Sequence, residues 1–68
     1  MTESRITEGA WRLAREFATR LGTHHPKAYV QGALLMLVDT DDRYYLLAAI
    51  RTMNDEEVRE FLEEALNR

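Results

Sequence analysis

The stretch "AYVQGALLMLV", residues 28–38, decides the fold of this chain. It ends in five consecutive large apolar residues, Leu34–Val38. A buried strand and a buried helix can both carry such a run. Sparse β-branching favours the helix, and Pro26 just upstream suits a first helical turn. Successive side chains on a helix are about 100° apart, so five in a row point in every direction. A helix that is apolar all round is expected to be buried all round. The reading is therefore a central helix over about 26–38, with a buried strand as the competing assignment.

The flanking segments carry cleaner helical periods. Upstream, Ile6, Ala10, Leu13, Ala14, Phe17 and Leu21 recur at helical spacing. Glu8, Arg12, Glu16 and Arg20 form a ladder of alternating charge on the far side. A helix over about 4–21 follows, starting near Ser4 or Thr7 and stopped by Gly22. Downstream, "DTDD" at 39–42 reads as a capped connection into a helix over about 42–52. Its inward face is Tyr45, Leu46, Ala49, Ile50 and Met53, with Tyr44 on the other side. The last helix, about 55–67, opens with Asn54 and Glu57 in capping-box spacing. Asp55, Glu56 and Glu57 occupy the first turn, where the helix dipole favours negative charge. Val58, Phe61, Leu62, Ala65 and Leu66 make its apolar stripe. The expected fold is all-α: one compact bundle of four short helices, a single helical domain over 1–68.

At 68 residues the core is small, and such domains often lean on disulfides, a metal or a partner chain. The chain has no cysteine, which removes disulfides, thiolate metal sites and a cysteine nucleophile, and fits a reducing compartment. No apolar run exceeds Ala33–Val38, far short of the roughly 18 residues of a membrane span. The charged N-terminal stretch has no signal-peptide core. These observations predict a cytoplasmic protein that does not enter the membrane. The net charge of −3 divides unevenly: residues 1–31 carry five Lys/Arg and three Asp/Glu, residues 32–68 four and nine.

The residues that could carry chemistry are few. His24 and His25 are adjacent, whereas a helical zinc pair is spaced one turn apart, so no metal is expected. "DTDD" begins like a calcium loop, but counting from Asp39 the fifth, sixth and twelfth positions are Arg43, Tyr44 and Ile50. Glu56, Glu60, Glu63 and Glu64 lie opposite the apolar stripe of their helix, on a solvated face that would not tune a general acid. Neither a P-loop nor a dinucleotide-binding fingerprint is present. The chain reads as a non-catalytic protein without a cofactor.

Two resemblances bear on function. "FATRLGTHHPKAYVQGAL", residues 17–34, resembles the opening of a repressor-like helix-turn-helix, through Ala18, Leu21, Gly22 and the following proline. That resemblance implies a DNA-binding regulator whose phosphate contacts would come from Arg15, Arg20, His24, His25 and Lys27. It departs from the pattern at Gly32 and in a second helix rich in Val and Leu rather than base-reading side chains. Residues 28–53 are faintly similar to the two helices of a tetratricopeptide repeat, but a solenoid needs about three copies. The preferred expectation is a small protein-protein interaction module or regulator acting as a homodimer. Its interface candidates are Trp11, Tyr29, Leu35 and Tyr44, while Lys27 and Arg20 read as ordinary surface charges. DNA binding is the alternative, and a third reading is an enzyme or cofactor binder whose site forms between subunits.

Overall fold

A computed structural model of the chain describes residues 6–21, 24–37 and 41–68. It is all-α, with helices α1 (Glu8–Arg20), α2 (Pro26–Leu37), α3 (Asp41–Arg51) and α4 (Asp55–Leu66). The strand alternative is excluded for residues 26–37. Gly22, expected to stop α1, and Val38, expected at the end of α2, lie outside the described residues.

Local signals account for the helix boundaries. The Thr7 hydroxyl accepts from the Ala10 N–H at 3.1 Å and starts α1. Asn54 and Glu57 close a full capping box on α4, with bonds of 2.8 and 2.9 Å. Pro26 holds the first position of α2 and is fully buried there.

The core draws on all four helices: Ala10, Trp11, Ala14 and Phe17 from α1, Val30 and Leu34 from α2, Leu46 and Ile50 from α3, and Val58, Phe61, Leu62 and Ala65 from α4. The most extensive pairing is α1 along α4. α3 packs against α1 and α2, and α2 packs against α3 and α4. The consecutive pairs α1–α2 and α3–α4 share the least contact, so each lies diagonally across the bundle.

This arrangement corrects the expectation for α2. It is not a central helix, and it is not covered on all sides. Its neighbours cover the row Pro26, Val30 and Leu34, spaced by four, with Tyr29 and Ala33 half-buried beside it. Ala28, Gly32, Leu35 and Met36 face outward. An apolar run can surround a helix, but three short neighbours cover only one side of it. Two smaller corrections follow the same logic. Tyr45 and Leu66, expected to point inward, are 39% and 47% exposed at the ends of their apolar stripes.

Candidate interaction surface

The side chains at the α2–α3 corner define the surface of interest. Leu35 is 69% exposed, Met36 85% and Tyr44 68%, and Tyr45 joins them. Only three residues, 38–40, separate the end of α2 from the start of α3, so all four side chains belong to the last turn of α2 and the first turns of α3. The Tyr44 and Tyr45 rings meet edge to face at 5.7 Å, a favourable aromatic geometry. Isolated exposed apolar residues are ordinary on protein surfaces; four large ones on the adjoining ends of two consecutive helices are less so.

Two of the four interface candidates stay on this surface, Leu35 and Tyr44. The other two are drawn inward. Trp11, 5% exposed, packs on Phe61 with ring centroids 5.1 Å apart. The Arg68 guanidinium covers its ring at 3.7 Å and reaches the Glu64 carboxylate at 3.4 Å. Trp11 is therefore a core residue: α4 lies along α1 on the side where the indole projects. Tyr29 is half-buried, edge-on to Phe17 at 6.3 Å.

Arg20 is exposed in the last turn of α1, Arg15 is half-buried, and His24 and His25 are exposed. Lys27, read as an ordinary surface charge, is half-buried and makes two hydrogen bonds. Its backbone N–H donates to Asp55 Oδ1 at 2.9 Å, and its Nζ donates to the Arg51 carbonyl at 3.0 Å. Asp55 thus satisfies an orphan donor at the start of α2 while sitting in the first turn of α4. Its other oxygen stands 3.9 Å from His25 Nδ1.

A second carboxylate does comparable work. Of "DTDD", Asp39 and Thr40 lie outside the described residues, and Asp41 is exposed in the first turn of α3. Asp42 accepts a hydrogen bond from the Thr7 hydroxyl at the start of α1. Gly9 makes room for it: a Cβ there would collide with the Asp42 carboxylate. Sequence reasoning missed both long-range contacts. The one available signal was a glycine in the first turn of an otherwise good helix, where nothing local requires it.

Chemically, the surface offers apolar contact and two phenols. Among the described residues, no polar or charged side chain is buried, and no group of three His, Asp or Glu side chains is placed to hold a metal ion. Glu56, Glu60, Glu63 and Glu64 are all exposed on α4. No helix among the described residues is long and apolar enough to cross a membrane. Fold and surface together define a small all-α protein. No family model matches the chain, and no curated protein or solved structure matches it significantly.

Proposed function

We propose that the protein is a small non-catalytic protein-protein interaction module or regulator that acts as a homodimer through the α2–α3 corner. The observation that carries this reading is the exposure of Leu35, Met36 and Tyr44 beside Tyr45. At roughly 150–250 Å² for a large side chain, these exposures amount to about 500 Å² per copy. A face-to-face pair of copies would then bury about 1,000 Å², the lower end of what a specific interface needs. Tyr and Met are also enriched in interface cores. The absence of cysteine fits a reducing cytoplasm as its compartment.

This reading is preferred to DNA binding because the exposed positions of α2, Ala28, Gly32, Leu35 and Met36, carry no hydrogen-bonding side chain for a base edge, and Gln31, half-buried, is the helix's one amide. In addition, α1 and α2 lie diagonally instead of packing as the two helices of a reading head. Self-pairing at this corner would bring together aliphatic and phenolic groups, not a tuned acid–base pair, which disfavours a site formed between subunits.

Sedimentation equilibrium at tens of micromolar tests the proposal. The parent should sediment at twice the chain mass of 8.0 kDa. Leu35→Glu should sediment as a monomer of unchanged helicity, because position 35 faces away from the core. A parent that stays at 8.0 kDa rejects the homodimer.

A further inference from the structure

We infer that Met36 is an oxidation-sensitive control point of this surface, an inference that rests on the homodimer proposed above. Two methionines are described, and their environments differ. Met36 is 85% exposed in the last turn of α2, next to Leu35. Met53 is half-buried, packed against the core between α3 and α4. Thioether oxidation follows access to the oxidant, so a dissolved peroxide reaches Met36 first.

The step is a two-electron oxygen transfer. The Met36 sulfur attacks one peroxide oxygen, the O–O bond breaks, and a sulfoxide and one water are produced from one hydrogen peroxide. The sulfur is oxidised and the peroxide reduced. The product places a polar, strongly hydrogen-bonding S–O group where the surface had a flexible apolar side chain. In the separated copy this group stays in water and costs nothing. In the pair it must be desolvated among Leu35 and the tyrosines, which costs free energy that burying the thioether does not. Oxidation therefore acts against association and spares the fold, because Met36 is not part of the core. The coupling runs both ways: pairing shields the thioether, so oxidation proceeds through separated copies and slows as protein concentration rises.

The test treats the parent, Met36→Leu and Met36→Gln with hydrogen peroxide, maps sulfoxides by peptide mass spectrometry, and measures association by sedimentation. In dilute protein Met36 should oxidise about tenfold or more faster than Met53, and this preference should shrink at high concentration. Oxidised parent should associate about tenfold or more weakly with unchanged helical circular dichroism. Met36→Leu should stay paired after treatment, and untreated Met36→Gln should behave like oxidised parent. Equal rates at Met36 and Met53, unchanged association of the oxidised parent, or dissociation of treated Met36→Leu overturns this inference and leaves the homodimer standing. An untreated parent that is monomeric at every concentration overturns both.

Discussion

Two of the three glycines sit inside described helices, and alanine should shift stability in opposite directions at the two. In α2, a Cβ on Gly32 would meet nothing within 4 Å. Alanine there restricts the unfolded chain and improves helix propensity, a gain of about 0.5–1 kcal/mol. In α1, a Cβ on Gly9 would stand 2.7 Å from Asp42 Cγ and closer still to Oδ2, distances that real Cβ atoms do not show. The Asp42 side chain is too short to evade it and keep its bond to the Thr7 hydroxyl. A hydrogen bond to a charged group contributes about 1.5–3 kcal/mol, and the part-buried setting places this one at the lower end. Set against the propensity gain, Gly9→Ala should destabilise by about 1 kcal/mol. For a domain of this size that is a fall of about 4–8 °C in Tm, while Gly32→Ala should rise by about half that or more. Thermal and urea unfolding followed by circular dichroism would measure both, at one low concentration so that association does not contribute. The double substitution is decisive. With Asp42→Ala as background, the obstacle is gone and Gly9→Ala should stabilise, giving a coupling energy above about 1 kcal/mol between positions 9 and 42. If Gly9→Ala stabilises the parent, or costs the same in both backgrounds, Asp42 is not held against Gly9 and the placement of α3 on the start of α1 is wrong.

Asp55→Ala should cost about 1–2 kcal/mol in urea unfolding, because it strips the acceptor from the Lys27 N–H at the start of α2; Asp55→Asn, which keeps an acceptor, should cost less. Leu34→Ala should lose about 2–5 kcal/mol as a core truncation, whereas Leu35→Ala, one residue on, should melt within about 0.5 kcal/mol of the parent when dilute and differ mainly in association. With no described cluster of metal-binding side chains, the circular dichroism melt should be unchanged by a strong chelator; loss of helix restored by zinc would assign a ligand role to His24 and His25.

Much of the chain's local structure is legible residue by residue. The capping box of Asn54 and Glu57, the Thr7 cap, Pro26 at the first position of α2 and the i, i+4 stripes of α1 and α4 depend on groups within one helical turn of each other. Interactions of that range are written in adjacent letters, so four helices and an all-α fold follow from them. The candidate surface was half legible: Leu35 and Tyr44 could be named from their residue types, but not separated from Trp11, which is equally typical of interfaces. What distinguishes them is which helix lies alongside, and no periodicity encodes that. Trp11 is buried because α4 runs beside α1, and Leu35 and Met36 are exposed because only one side of α2 meets α3 and α4. The same holds for the polar contacts. Asp42 reaches Thr7 across 35 positions and Asp55 reaches Lys27 across 28, pairings that exist only once the helices have packed diagonally. Hydrophobic pattern states how much of a helix can be covered; chain geometry sets which neighbours are there to cover it, and therefore which apolar residues remain in water to meet a partner.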